Sequence, residues 1–480
     1  MHKKRTRRQQ IAIRSFTYGA MTLAAVFGVL ISLAWAMGFR FDFNGGKLTQ
    51  VALIQFDSFP SGATVKINSA SIASKTATRA NVRSGENTIE IAKIGYRTWQ
   101  KTVSLKPSEV LWLDYIRLIP NSITTNQVKT FPNISEMLES PNQHWLLIRT
   151  SDSDHAANGY TLVLADISDP KNVRFSNVTI DPNEITAPVS DQLEKFSITE
   201  WDPGSRYLLI KHQVGDLVEY LRIDRENAAT TKNLTKDFGL NISDPHFSGT
   251  SGQVFFALTG SDLRKFDSSN QTASAPIVTN VQSYHLSENN KITFVATDIK
   301  DGKVTQRVGT YNDGQVKTIK TYDKIEDTQA GLTHYRDKDY LAVARGEVVA
   351  IYANPFDDDK KTNAIYLNSP GGIDWLDFSP SGRFVVAGYH NKIVDFDLDT
   401  SRNYSFELGN MSSVPQWMDD THLVDTSNRT ISLVEFDGSN SENIVGGVGR
   451  VTLSRDEKYL FSFDTANGTA SLQRSELYVE

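Results

Sequence analysis

Histidine is the residue type here best suited to metal or proton chemistry, and its spacing in this 480-residue chain argues against both. His155, His212, His246, His285, His334, His390 and His422 are scattered, with no His-x-x-x-His or His-Glu pair to set two donors side by side. His246, His285 and His334 precede the same recurring turn, which points to packing or capping. There is no cysteine, so thiolate nucleophiles, cysteine metal sites and disulfides are excluded. "DSDHAANG" (Asp152 to Gly159) opens with the spacing of a calcium loop but lacks the closing acid, and reads as a polar hairpin loop. "FDDDKK" (Phe356 to Lys361) reads as a solvated loop. No Gly-x-Ser-x-Gly elbow, phosphate-binding loop or dinucleotide fingerprint occurs. The expectation is no catalytic residue, no metal site and no cofactor.

The elements that would position any site begin with an anchor. Ser15 to Phe39 is an uncharged run of 25 residues, where about 20 helical residues span a bilayer. Lys3, Lys4, Arg5, Arg7, Arg8 and Arg14 lie on its N-terminal side, and basic residues beside a first span stay in the cytoplasm. The expected order is a basic cytoplasmic tail (1–14), a transmembrane signal anchor (15–39), a linker (40–50) and an extracytoplasmic body in the cell envelope. Ala34-Trp35-Ala36 offers a cleavage site, but the apolar run exceeds the roughly 7–15 residues of a cleaved signal. With the seven basic residues of 1–41 set aside, the remainder holds 43 basic against 56 acidic residues. Phosphate backbones repel such a body, which excludes nucleic acid as partner.

Residues 51–120 show short alternating runs. Ala63, Val65 and Ile67 share one face, as do Ile89 and Ile91, then Trp99 and Val103, and "VLWLDYIRL" closes the set. Asn68-Ser69-Ala70, Ser84 to Asn87 and Gly95 are turn material. Together they predict a small antiparallel β domain. Its residues Ser58, Pro60, Gly62, Ala63, Gly85, Gly95, Tyr96 and Trp99 resemble the PEGA domain: a Ser-x-Pro-x-Gly-Ala opening, a Gly turn before a strand and a Gly-Tyr-x-x-Trp element. The chain departs from that pattern at Asn68-Ser69-Ala70, where the family has an Asp-Gly hairpin, and at Thr76-Ala77, where it has Thr-Pro. The resemblance implies a bacterial membrane or surface protein and a structural module without catalysis. Core packing is expected for Tyr96 and Trp99, with carbohydrate stacking as the alternative.

From residue 121 to 480 a polar turn followed by a strand-opening apolar residue recurs at Trp145, Tyr207, Val254, Ile292, Tyr340, Phe384, Leu423 and Tyr459. Successive gaps of 62, 47, 38, 48, 44, 39 and 36 residues bracket the roughly 40–50 of a four-stranded propeller blade. Many units carry an aromatic just before the turn (Trp201, Phe247, Trp375, Phe378, Trp417) and end their next strand in an acid. Trp375 to Arg383, "WLDFSPSGR", resembles the TolB-type, WD-like β-propeller repeat. The fold expected is all-β: one transmembrane helix, a PEGA-like domain and a propeller of eight blades, with seven as the alternative. The last unit lacks an outer strand, which "SITTNQVKTF" (Ser122 to Phe131) is placed to supply.

The function expected is a membrane-anchored, non-catalytic envelope protein whose PEGA-like spacer presents a propeller to a protein or glycan. The alternatives are an envelope polysaccharide hydrolase or lyase using channel carboxylates, and a structural surface-layer component.

Overall fold

The computed structural model describes residues 7–42, 47–150, 160–189, 193–287, 289–300, 302–357, 363–409, 414–466 and 469–479. The Asp152 to Gly159 loop with His155 and most of Phe356 to Lys361 lie outside them. The chain divides into two compact units, Met1–Ser122 with Val479–Glu480, and Ile123–Tyr478.

In the first unit, α1 (Arg7–Ala36) contains a 26-residue span, Ile11–Ala36, of mean hydropathy 1.9, long and apolar enough to cross a membrane. The helix starts earlier and stops sooner than the expected 15–39. Arg and Gln are good helix formers, and Gly38 at φ +80° turns the chain out of the helix. Nor is 40–50 a plain linker: Phe39–Asp42 pairs with Lys47–Gln50, as alternating aromatic residues favour.

Eight strands then form two four-stranded sheets. One joins Phe39–Asp42, Lys47–Phe59, Thr78–Arg83 and Val110–Arg117; the other joins Ala70–Lys75, Thr64–Ile67, Gly85–Ala92 and Trp99–Leu105. Every pairing is antiparallel except that of Lys47–Phe59 with Val110–Arg117. Alternation sends Ala52, Ile54 and Phe56 inward from one sheet and Val65, Ile89, Ile91 and Trp99 from the other into one core.

The second unit contains, among the described residues, eight four-stranded antiparallel sheets. Their first strands are Glu136–Glu139, Glu194–Trp201, Ile242–Phe247, Val281–Leu286, Thr328–Tyr335, Trp375–Phe378, Gln416–Trp417 and Val448–Leu453, opening blades 1 to 8. Seven blades are completed in sequence. The eighth takes its outer strand from Thr125–Phe131, antiparallel to Thr469–Glu476.

The period-2 alternation of each second strand stacks the blades. Leu147 packs towards blade 2, whereas Leu146 and Ile148 pack with Phe461, Leu472 and Phe131 of blade 8. Leu208 and Ile210 face blade 1 and Leu209 faces blade 3; Phe255 faces blade 2 and Phe256 faces blade 4. Each of these side chains, at roughly 1.5–3 kcal/mol on burial, is covered by the blade beside it. First strands touch between blades 1 and 2, 4 and 5, 5 and 6, and 8 and 1, so the last blade meets the first and the ring closes.

The recurring turn between first and second strands has one mechanism. A Ser or Asp at its start accepts from the backbone that opens the second strand: Ser140 Oγ from Trp145 N (3.0 Å), Asp202 Oδ1 from Tyr207 N (2.5 Å), Ser379 Oγ from Phe384 N (3.1 Å) and Ser454 Oγ from Tyr459 N (3.0 Å). The acids that end third strands cap the next turn, as Asp397 does for the amide of Asp399 (2.8 Å) and the hydroxyl of Thr400 (2.9 Å). In blades 2 and 6 such an acid also takes the Arg of the preceding turn side-on, Arg206 with Asp224 and Arg383 with Asp397.

Asp395 is the exception in this network. It is wholly buried, neither carboxyl oxygen makes a hydrogen bond of good geometry, and burial next to Asp397 and Asp437 outweighs Arg383 and the nearby Phe396 amide to hold its pKa well above the carboxylate range. Folding therefore strongly disfavours the charged form of this acid. Asp395→Val should stabilise the propeller by about 1–3 kcal/mol, the usual cost of an unsatisfied buried polar group. A urea midpoint lower than that of the parent would contradict this.

Candidate functional site

Two neighbouring cavities open where first strands meet their turns. The larger, about 520 Å³, is walled by blade 1 (Leu138, Glu139), blade 6 (Asp377), blade 7 (Gln416, Trp417) and blade 8 (Arg450, Thr452). The smaller, about 210 Å³, lies among blades 4 to 6, with His285, Thr333 and Asp377 in its wall. Asp377 belongs to both, so the cavities meet at its carboxyl.

The carboxyls in this wall do not behave as surface acids. Burial pushes Glu139 up to about 8 against a hydrogen bond with the Thr452 side chain, and its Oε1 is buried without a partner. Burial also pushes Asp377 up to about 6, opposed by the Phe378 amide and the Arg450 charge. The indole Nε1 of Trp417 is buried without an acceptor, while its ring stacks on Phe384 at 6.0 Å. The Gln416 amide ties blade 7 to blade 8: its Nε2 donates to Val451 O (2.6 Å) and its Oε1 accepts from Val451 N (3.0 Å).

Further round the axis, His246 of blade 3 lies between Glu200 Oε2 (2.8 Å) and Asp244 Oδ1 (3.2 Å). Burial opposes its charge, but these two bonds outweigh burial and push its pKa up to about 10. His285 of blade 4 is driven down to about 4 by burial and by the nearby His246 charge. Its Nδ1 accepts from Leu332 N (3.3 Å), so the neutral ring carries its proton on Nε2. His334 bonds Asp339 (2.9 Å), His390 bonds Asp374 (3.2 Å) and His422 bonds Asp419 (2.9 Å). His212 is a satisfied core residue inside blade 2, between Glu194 (2.8 Å) and Glu219 (3.0 Å). No metal-binding group of three or more His, Asp or Glu occurs among the described residues.

Neither Glu139 nor Asp377 stands out by motif; the signal is positional. Strand register aligns Glu139 with Trp201, Phe247, Phe378, Trp417 and Leu453, each one residue short of the turn and opposite the start of the second strand. A carboxylate where five other blades place an apolar or aromatic residue is the anomaly that could have marked it.

The motif residues of the first unit assemble around a different centre. Ser58 Oγ donates to Pro60 O (2.9 Å) and contacts Thr76 Oγ1 (2.7 Å), which in turn accepts from Ala63 N (2.9 Å). The Phe59-Pro60 and Thr76-Ala77 peptides are both cis, the second at the place where the family carries Thr-Pro. Gly62, Gly85 and Gly95 have φ of +81°, +104° and +88°, the region glycine alone adopts freely. Gly85 opens a strand rather than sitting inside a turn. Asn68 and Ser69, at φ +51° and +69°, form the two-residue hairpin that Asp-Gly makes elsewhere, and Asn68 Oδ1 accepts from Thr88 N (2.9 Å). Tyr96 and Trp99 are buried, at 5% and 6% exposure, with Trp99 edge-on to Tyr115 at 6.5 Å. Thr76→Val keeps the shape but removes the shared acceptor, and should cost this unit about 1–3 kcal/mol. Unchanged denaturation of the unit would contradict that.

The sequence profile of the PEGA domain matches residues 52–118. No curated protein matches the chain in sequence. Among solved structures, an oligogalacturonate lyase in complex with manganese is similar at 11% identity and TM-score 0.41, over 73% of this chain and 98% of that one. A dipeptidyl peptidase 4 from Porphyromonas gingivalis is similar at 11% identity and TM-score 0.45, over 69% and 56%. The Dos1 propeller is similar at 11% identity and TM-score 0.43, over 74% and 96%. Residues 52–118 are a PEGA domain, and Ile123–Tyr478, with its eight four-stranded sheets closed by Thr125–Phe131, is a β-propeller.

Proposed function

We propose that this is a single-pass membrane protein whose propeller binds an envelope protein or glycan outside the cell, without catalysis, with the PEGA domain as spacer. The carrying observation is the axial cavity of about 520 Å³, within the size range of ligand sites, walled by Glu139, Asp377, Trp417 and Arg450. The basic residues before the apolar helix support a cytoplasmic N-terminus. The test is capture from envelope extracts by the full-length protein in detergent, with Trp417→Phe and Glu139→Leu as controls. A partner lost in both variants supports the reading; equal capture by all three sinks it.

A second reading has one observation in its favour. Carboxyls held at about 8 and about 6 are suited to proton transfer, as a glycan hydrolase or lyase requires. Turnover of a wall polysaccharide, abolished by Glu139→Gln or Asp377→Asn, would establish it over binding.

A further inference from the structure

We infer that one sheet face of the PEGA domain lies against the outer surface of the bilayer, an inference that depends on the membrane anchoring proposed above. Leu53, Val110 and Trp112 on that face touch lipid, and the arginines beside them meet anionic headgroups.

The span joins the domain without a free linker. At about 1.5 Å per residue the 26 residues of Ile11–Ala36 reach about 39 Å, against about 30 Å of hydrocarbon, so the end of α1 lies among headgroups. There Ser108 Oγ donates to Ala36 O (3.2 Å), Val51 N to Gly38 O (2.9 Å) and Ser108 N to Val51 O (2.9 Å). The junction is close-packed, since a Cβ on Gly38 would lie 2.6 Å from Ser108 Oγ and 2.8 Å from Val51 O. The helix thus enters between Phe39–Asp42 and Val110–Arg117, which share the flank of Lys47–Phe59 opposite Thr78–Arg83. Val110 and Trp112 follow Ser108 by roughly 7 and 13 Å of strand.

Strand alternation gives this sheet two unlike faces. Ala52, Ile54, Leu111 and Leu113 turn into the core, whereas Leu53, Val110 and Trp112 turn out. Register sets Val110 beside Leu53 and Trp112 beside Gln55, with Arg79 across from Gln55 and Arg83 across from Val51. Val110 and Trp112 are each 47% exposed. Of the seven tryptophans only Trp112 and Trp35, the latter in the last turn of α1, are exposed. An indole is suited to the depth where apolar and wet surroundings meet, so both rings fit one interface. Charge is graded along the same face. Arg79 and Arg83 are exposed on its anchor half, while the exposed Asp57 and Asp114 lie two residues beyond Gln55 and Trp112. Glu109, nearer the junction, caps its own turn by accepting from Lys106 N (2.7 Å). An apolar strip with arginines beside it and acids set back is the pattern of a surface that lies on anionic lipid.

The test is fluorescence quenching of the full-length protein reconstituted into vesicles of brominated phosphatidylcholine and phosphatidylglycerol. Trp35→Phe and Trp112→Phe each remove one ring from the signal. The quenching lost in Trp112→Phe should come within about 2-fold of that lost in Trp35→Phe, as two rings at one interface require. Val110→Glu, a surface change, should cut the Trp112 contribution at least about 3-fold and leave that of Trp35 unchanged. Trp35 quenched with Trp112 unquenched overturns the inference while the anchor stands; if acrylamide also fails to reach Trp112, a protein covers the face instead. Val110→Glu without effect on Trp112 overturns it as well. If neither ring is quenched and alkaline carbonate strips the protein from the vesicles, the anchoring itself fails and the inference falls with it.

Discussion

Arg383→Ala should lower the unfolding free energy of the propeller by roughly 3–5 kcal/mol, the range for removing one partner of a buried pair. Arg383 Nε and Nη2 donate to the two oxygens of Asp397 at 3.0 and 2.8 Å, and the Asp397 side chain is 0% exposed. Asp397 would keep its bonds to Asp399 and Thr400 but lose the guanidinium that balances its buried charge. The guanidinium also lies over the rings of Phe384 (4.9 Å) and Phe436 (5.9 Å), so packing is lost with charge. The equivalent change in blade 2, Arg206→Ala, removes an arginine that is 46% exposed and should cost much less. Guanidinium denaturation of both variants checks the contrast, and Asp397→Asn in the Arg383→Ala background should recover part of the loss. Equal effects in the two blades would show that burial does not decide the worth of this pair.

The second large effect is on pH dependence. Glu139 has a folded pKa of about 8 against an ordinary value of 4.5. The folded protein thus keeps a proton that the unfolded chain has released, and stability falls as pH rises from about 4.5 to about 8. Each pKa unit is worth about 1.4 kcal/mol, so the total is at most about 5 kcal/mol, reduced by the carboxyl's contact with the cavity. Glu139→Gln cannot ionise and should be more stable than the parent by about 2–4 kcal/mol at pH 8, with little difference near pH 4. His246, raised to about 10, adds stability that is complete below about 6.5 and is lost as pH climbs through 10, so a decline above pH 8 should persist in the variant. Parallel stability–pH curves for parent and variant would refute the assignment to Glu139.

What the sequence disclosed and what it hid follow from one physical distinction. The blade period and the PEGA corner at Ser58 to Ala63 are local, since each is written in alternation and turn residues a few positions apart, and the lent strand was legible because the last unit is one strand short. The parallel pairing of Lys47–Phe59 with Val110–Arg117 was hidden, because direction depends on how the chain returns and not on the pattern within either strand. Glu139, Asp377, Trp417 and Arg450 lie 311 positions apart at their extremes and meet only because the ring closes. No spacing rule could join them. The ring register could have singled out Glu139, but its protonation follows from burial between blades that the sequence does not juxtapose. Asp395 is similar: nothing in the run "KIVDFD" marks it as buried, yet stacked blades cover both faces of that strand.

The lent strand also has a temporal consequence. Phe131 pairs with Ala470, so after Thr125–Phe131 is synthesised some 339 further residues must follow before its partner exists. At about 5–20 residues per second that interval is roughly 17–70 s. Throughout it the segment is a bare strand, of the kind that seeds intermolecular pairing. Its composition suits the wait: "TNQVKTF" is polar along most of its length and places Lys129 near its middle, a charge that discourages premature partners. Nascent chains stalled short of residue 470 should therefore hold an incomplete circle yet remain dispersed, with the cooperative transition arriving only as the final strand emerges.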